Sequence, residues 1–406
     1  MQLLDICFLK MSGTLTKSPK PSGTMLLFAE VARLKADGAD IISFAVGELD
    51  KDSPDSAKRA AIKAIDENFT RYTVSDGIVE LRQAIAQNIS EDTGQHFEFE
   101  QVIVSNGSKQ ASFNLLAALL NNGDEVIIPS PYFPSHLRQV ELLGATPVLL
   151  ETSMSENFQI QPLVLKSLVT NKSKVLLINS PHNPTGAVYN QETLAAIAKV
   201  AMEADIWLLS DEIYSGLVFP PSEEHSILKL FPELRSNFLI AGGFSKSFAM
   251  TGWRVGFAAG PLQVIKAAGI IQSNTTTNVC SISQKAALAA MREEPDFVRK
   301  LLPELISKRD AAMETLNSID EIECYVADGA FYLFPSVKRF LGKTYNGTKV
   351  TTSEEIAGYL LREHKVAVVP GESFGAPGFI RLNFSICQTD LQKGLKRLKD
   401  GLEQLQ

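Results

Sequence analysis

KVLLINSPHNPTG, residues 174–186, sets a pattern that the rest of the chain repeats. Residues 174–179 form a short run, almost wholly apolar beyond its lysine and rich in branched side chains. A cluster of Asn, Pro and Gly follows at once. A strand with one face in water alternates apolar and polar residues, and this run does not, so it reads as a strand buried on both faces. Similar runs recur as QVIVS (101–105), EVIIP (125–129), TPVLL (146–150), DIWLLS (205–210) and NFLIAG (237–242). Helical patterns separate several of them, the clearest being KQASFNLLAALL (109–120). Apolar strands alternating with helices predict an α/β fold, a mostly parallel sheet inside a three-layer αβα large domain.

Outward from this block, residues 26–37 read as a helix stopped by Gly38. Ser53-Pro54 reads as an N-cap and first helical residue, opening a helix that runs to about Asn68. After about residue 291 the pattern becomes a long helix (295–317), a strand hairpin and a terminal helix, which predicts a smaller α+β domain. The expected division is 1–50 as an N-terminal arm and part of the small domain, 51–290 as the large domain and 291–406 as the small C-terminal domain.

Composition narrows the function classes. With 406 residues, 45% hydrophobic and 21% charged, the chain has the balance of a soluble globular protein. The net charge of −7 offers no general attraction to nucleic acid or anionic membranes. No run of about 18 apolar residues exists to span a bilayer. The start, MQLLDICFLKMSG, carries Asp5 inside a short apolar patch and has no basic leader region, so it reads as a loose arm or as an upstream start ahead of Met11 rather than a signal peptide. The four cysteines (Cys7, Cys280, Cys324, Cys387) form no CxxC pair. That spacing fits a reducing, cytoplasmic setting and supplies no metal or disulfide framework.

In open α/β sheets, ligands bind outside the carboxyl ends of the strands. Five polar clusters fall there: SNGSK after 101–105, SPYFPSH after 125–129, NSPHNPTG after 174–179, SDEIY after 205–210 and GGFSKS after 237–242. One such cluster is ordinary loop chemistry, whereas five would converge on one cleft. Individually, each residue has a plain alternative. The turn at 107–109 can be simply a tight turn, Asp211 a strand-end cap, Lys246 a solvated lysine and Arg254 an ion-pair partner. Together they match what an aldehyde cofactor with a phosphate tail requires: a lysine amine (Lys246), an acid opposite a ring nitrogen (Asp211), a cation and free N–H groups around the phosphate (Arg254 and the 107–109 turn) and an aromatic face (Phe133).

The stretch SKSFAMTGWR (245–254), with NSPHNPTG, SDEIY and RLNF in the same order, resembles the class I pyridoxal-phosphate aminotransferases of fold type I. The resemblance runs from about residue 20 to the C-terminus. It implies that pyridoxal 5′-phosphate is the cofactor and that Lys246 binds its aldehyde and later moves a proton at the substrate Cα. It further implies that Asp211 faces the ring nitrogen, that Asn183 and Tyr214 face the ring's phenolic oxygen, that Phe133 stacks on the ring, and that Ser245, Arg254, Ser108 and Lys109 hold the phosphate. Tyr72 would reach the phosphate of a neighbouring subunit, which implies a homodimer with shared sites. Arg381 would clamp the substrate α-carboxylate, and Gly47 would line the substrate pocket. Two departures stand out. GELD (47–50) replaces the usual Gly-Glu-Pro-Asp, and Phe133 stands where many relatives carry tryptophan.

KPSGT (20–24) and SNGSKQ (105–110) resemble the gamma subgroup of bacterial aspartate aminotransferases. That likeness implies a second substrate carboxylate bound by Thr24 and Lys109, with Lys20 at a position linked to prephenate. The expected reaction is transamination between L-aspartate and 2-oxoglutarate. The alternatives are prephenate or another amino acid, or a carbon–sulfur lyase on the same fold. A cofactor-sensing regulator would need a DNA-binding module, and the residues ahead of Pro21 are too few to form one.

Overall fold

The computed structural model describes residues 23–406. Seven strands form the main sheet, in the spatial order Val102–Ser105, Gly256–Ala259, Phe238–Gly243, Trp207–Asp211, Ser173–Asn179, Glu125–Ser130, Thr146–Glu151. Gly256–Ala259 is antiparallel to both of its neighbours, and the other six strands run in one direction. That antiparallel strand, GFAA, is absent from the sequence reading. It is four residues long and opens with glycine, so it carries little of the branched apolar signal.

The two faces of the sheet feed two separate cores. Val104, Ile127, Leu176, Leu208 and Ile240 point into one, with helices Asp55–Asp66, Val79–Thr93, Gln191–Glu203 and Ser281–Glu293 packed over them. Ile103, Ile128, Leu177, Leu209 and Ala241 point into the other, under helices Ser108–Leu119, Pro134–Leu142 and Leu262–Ser273. Successive strand residues alternate between the cores because strand side chains alternate between faces. The fold is therefore the expected three-layer α/β architecture.

A further core gathers around helices Leu302–Asn317, Ser353–His364 and Gln388–Glu403. The last of these buries Leu391, Leu395, Leu398 and Leu402 along one stripe. Ile42 and Phe44 join this core from the N-terminal side, where Ile42–Ser43 pairs in parallel with Val366–Ala367. Ile380–Asn383 lies between Tyr332–Leu333 and Val369–Pro370, antiparallel to both.

Three local readings change. The helix expected over 295–317 begins at Leu302, with a turn of tighter helix at Arg299–Leu301 before it. The strand expected at 205–210 is Trp207–Asp211, so Asp211 is its last residue. Ser53 does not cap the helix Asp55–Asp66, whose N-cap is Pro54. The Ser53 hydroxyl instead donates to the Ala249 carbonyl (3.1 Å) and accepts from Trp253 Nε1 (2.8 Å). The segment that carries Lys246 and Arg254 has recruited it.

Candidate active site

Because the six parallel strands share a direction, their carboxyl ends lie along one edge of the sheet, and the polar clusters meet there. Asp211 ends its strand 5% exposed. A carboxylate so deep needs partners. Oδ2 lies 2.9 Å from His136 Nε2, Oδ1 accepts the Ile213 N–H (3.2 Å), and the backbone carbonyl accepts from Asn179 Nδ2 (2.9 Å). Behind it, His182 stays neutral. Its pKa is pushed down to about 3 by burial and by the neighbouring His136.

Asn183 and Tyr214 come together as the sequence reading requires. Asn179 Oδ1 accepts the Asn183 N–H (3.0 Å) and fixes the turn. The Asn183 carboxamide accepts from Arg381 Nη1 (2.9 Å) and donates to Tyr214 Oη (3.3 Å). Arg381 also donates through Nη2 to the Ala45 carbonyl (2.9 Å), and its guanidinium lies against Tyr332 and Phe374, 4.4 and 4.9 Å from the ring centroids. Its Nε is buried without a hydrogen-bond partner among the described residues. A rigid, buried guanidinium with a donor to spare suits a planar carboxylate.

The amine of Lys246 donates to the Gly47 carbonyl and lies 5.8 Å from the centre of the Phe331 ring. Its pKa falls from 10.5 to about 8. Burial is the main cause, Glu48 opposes it, and the cations Arg381, Arg254 and Lys109 add to it. Gly47 has a steric reason to be glycine, since a Cβ there would sit 2.5 Å from Tyr332 Oη.

The third part of the site is an anion cradle. Helix Ser108–Leu119 begins after Gly107, whose φ of 83° belongs to the left-handed region. The amides of Ser108 and Lys109 open the helix, where no preceding helical carbonyl can reach them. Gly256 lets this turn approach, because a Cβ there would sit 2.4 Å from Ser108 N. Arg254 closes the other side, its guanidinium tethered to the carbonyls of Thr251 (2.9 Å) and Asn106 (3.3 Å). A Cβ on Gly107 would meet that guanidinium at 2.6 Å. Ser245 is buried beside Lys246. The Lys109 amine lies 5.6 Å from the Phe133 ring centre, and its pKa is lowered by burial and by Arg254.

The cluster therefore unites Gly47, Ser108, Lys109, Phe133, Asn183, Asp211, Tyr214, Ser245, Lys246, Arg254 and Arg381. Tyr72 stands apart, 89% exposed between the helices Asp55–Asp66 and Val79–Thr93. Of Thr24, only its place on helix Gly23–Ala36 is described, and Lys20 lies outside the described residues. The sequence reading passed over His136, Asn179, Tyr332 and Phe374. His136 and Asn179 lie inside polar clusters already singled out. Tyr332 belongs to the core around the C-terminal helices and Phe374 to a separate apolar cluster with Ala45 and Phe334, and neither carries a local signal of a site. No group of described residues has the makings of a metal site, and no described helix is long and apolar enough to cross a membrane.

An aldehyde cofactor with a phosphate tail fits these residues. The cradle at Arg254 and the clamp at Arg381 both lie close enough to the Lys246 amine to lower its pKa, and Asp211 lies near Tyr214. Residues 39–398 match the family model of class I and II aminotransferases. A probable aspartate/prephenate aminotransferase of Rickettsia conorii is 40% identical over 393 residues, covering 96% of this chain and 98% of that protein. An aspartate aminotransferase of Thermus thermophilus, solved with maleate, superposes with a TM-score of 0.90 at 36% identity, covering 96% of this chain and 99% of that one. The aspartate aminotransferase of Rhizobium meliloti superposes with a TM-score of 0.93 at 34% identity, covering 98% of this chain and 100% of that one.

Proposed function

The chain belongs to the class I and II aminotransferases, pyridoxal-phosphate enzymes that move an amino group between an amino acid and a 2-oxo acid, and on that premise we propose L-aspartate and 2-oxoglutarate as its substrates, with a role for each residue of the cleft. When bound, the cofactor supplies an aldehyde that captures amines and a pyridine ring that takes up electrons from the substrate Cα. Lys246 holds the cofactor and then moves a proton at Cα. Asp211 holds a proton on the ring nitrogen, with His136 behind it. Tyr214 and Asn183 donate toward the phenolic oxygen. The amides of Ser108 and Lys109, with Ser245 and Arg254, hold the phosphate, and Phe133 covers the ring. Arg381 takes the substrate α-carboxylate in its fixed plane, and Gly47 lines the pocket. The same reading keeps the division at residues 50 and 290, with the cofactor cleft in the middle segment and Arg381 supplied by the last.

The observation that carries the aspartate reading is the Lys109 amine, placed over Phe133 beside Arg254, a cation besides the one at Arg381. A second carboxylate entering a closed pocket must be paired, and Arg381 is already committed. Lys109, with Thr24 as hydroxyl donor, is the candidate partner. Lys109→Ala is expected to lower kcat/KM for aspartate about 30–150-fold, the equivalent of one charge-assisted bond of roughly 2–3 kcal/mol, and to change alanine turnover little. Arg381→Ala should depress both substrates alike. Equal losses for aspartate and alanine in Lys109→Ala would assign Lys109 to the cofactor phosphate and remove the argument for a dicarboxylate.

Tyr72 is the basis for assembly. A tyrosine 89% exposed on its own subunit, in a stretch that resembles a phosphate-binding segment, fits a role in a partner's site. The reading is therefore a twofold homodimer with two shared sites. Mixing inactive Tyr72→Ala and Lys246→Ala subunits should restore one complete site per heterodimer, so activity should reappear on mixing. A fully active monomer by light scattering would exclude the shared site.

A further inference from the structure

Tyr332 completes a closed circuit of contacts. Arg381 Nη1 donates to Asn183 Oδ1 at 2.9 Å, which turns the carboxamide so that Nδ2 donates to Tyr214 Oη at 3.3 Å. Tyr214 Oη lies 2.9 Å from Tyr332 Oη. The Tyr332 ring returns to the start, under the Arg381 guanidinium at 4.4 Å. Both tyrosines are almost wholly buried, 3% and 1% exposed, and their rings meet edge to face at 82°. Among the described residues, Tyr214 is the one hydrogen-bond partner of the Tyr332 hydroxyl.

Each hydroxyl carries one proton and two lone pairs. The pair can therefore share its bond in two directions, Tyr214 to Tyr332 or the reverse. A phenolic oxygen carrying negative charge only accepts, so one lying against Tyr214 would accept a hydrogen bond from the Tyr214 hydroxyl. Tyr214 Oη is then left to accept from two donors, the Asn183 amide and the Tyr332 hydroxyl. We propose that Tyr332 is a positioning residue, which donates to Tyr214 and so directs the Tyr214 proton toward the cofactor's phenolic oxygen while its ring backs the carboxylate clamp. This rests on the assignment of Tyr214 to that oxygen. Hydrogen bonds in a chain strengthen one another, so the second donor makes Tyr214 the stronger donor in turn. Burial pushes the pKa of both hydroxyls up, which keeps both protons available for donation. The charged groups facing the pair are Arg381, Asp211 and Glu48, with Lys246 beyond Gly47.

Tyr332→Phe removes the hydroxyl and keeps the ring under Arg381, with every charged neighbour retained. The readout is the pH midpoint at which the visible absorbance of the bound cofactor changes in the holoenzyme. A weaker donor at the phenolic oxygen leaves more negative charge there, and that charge holds the adjacent proton to a higher pH. The midpoint should therefore rise by about 0.2–0.6 pH unit, the size expected if one bond of a cooperative chain is lost. Maleate affinity, followed by the same absorbance, should stay within about twofold of native. Tyr332→Leu, which removes the ring, should instead weaken maleate by roughly 2–30-fold. Tyr214→Phe should move the midpoint further in the same direction. If Tyr214→Phe moves it and Tyr332→Phe leaves it in place, the proposal is overturned and the Tyr214 assignment survives. If neither moves it, both fall. If Tyr332→Phe weakens maleate with no change in midpoint, the hydroxyl is packing only, which also overturns the proposal. Should the leucine variant fail to fold, the phenylalanine variant still decides.

Discussion

Lys246→Ala is expected to lose transamination by at least about 10³–10⁴-fold while still binding pyridoxal phosphate without a covalent link. A positioned acid–base group contributes typically about 10²–10⁴ by itself, and in the proposed role this lysine would also make the covalent attachment. Its surroundings prepare it for both tasks. An ordinary lysine with a pKa of 10.5 is neutral in roughly one molecule in 3,000 at pH 7, whereas one at about 8 is neutral in roughly one in ten. Burial lowers the pKa because the charged form loses water. Arg381, Arg254 and Lys109 lower it again by repulsion, and Glu48 pulls the other way. The sign is then fixed: the reactive neutral amine gains ground as pH rises through about 8. The rate at which cofactor-free protein captures pyridoxal phosphate should therefore climb with a midpoint near pH 8 and level off above it. A rate still climbing beyond about pH 10 would mean an unperturbed lysine, and borohydride labelling of a different lysine would remove the assignment altogether.

The legible parts of this molecule are those where chemistry is local in sequence. A strand buried on both faces, followed at once by a polar loop, announces itself within about ten residues, so the parallel sheet and five of its strand-end clusters were readable. Lys246 and Arg254 are eight positions apart in one turn-bearing stretch, and Asp211 and Tyr214 are three apart. The missed parts are those in which one segment answers another far away. Ser53 looks like a helix cap because Pro54 follows it, yet its hydroxyl is used by Ala249 and Trp253, some 200 positions on. Tyr332 lies in an apolar run, AFYLF, that reads as core, and it is core. Its hydroxyl matters only because the circuit through Tyr214, Asn183 and Arg381 joins positions 183 to 381. Gly256 and Gly107 look like turn glycines. Their need for a bare Cα comes from each other's neighbourhood, where Ser108 N and the Arg254 guanidinium leave no room for a Cβ. The helix starts at Leu302, later than its sequence suggests, because Pro303 sits in its first turn while the residues ahead of it suit a helix equally well.

The second large effect belongs to Asp211. Asp211→Asn is expected to cut turnover by about 10²–10³-fold or more, the range found when one preorganised electrostatic stabiliser of a reaction is removed. The carboxylate is unusually constrained. His136 holds Oδ2, the Ile213 amide holds Oδ1, and Asn179 fixes the backbone carbonyl, so the buried charge is held in one orientation. In the proposed role it would keep a proton on the cofactor's ring nitrogen, and a protonated ring accepts the electrons of the substrate Cα far better than a neutral one. Asparagine preserves the shape and loses the charge, which makes it a cleaner test than alanine, since alanine would also leave His136 without its partner in a buried site. Asp211→Glu keeps the charge but displaces it by one methylene, so it should recover part of the loss. His136→Ala leaves the charge in place and frees its orientation. Its cost should be smaller than that of Asp211→Asn, because the Ile213 amide still holds one oxygen. Reversing that order, with His136→Ala the worse variant, would make the histidine the group that sets the ring's protonation. Turnover within about threefold of native in Asp211→Asn would detach the carboxylate from the chemistry and leave it as a buried structural acid at a strand end.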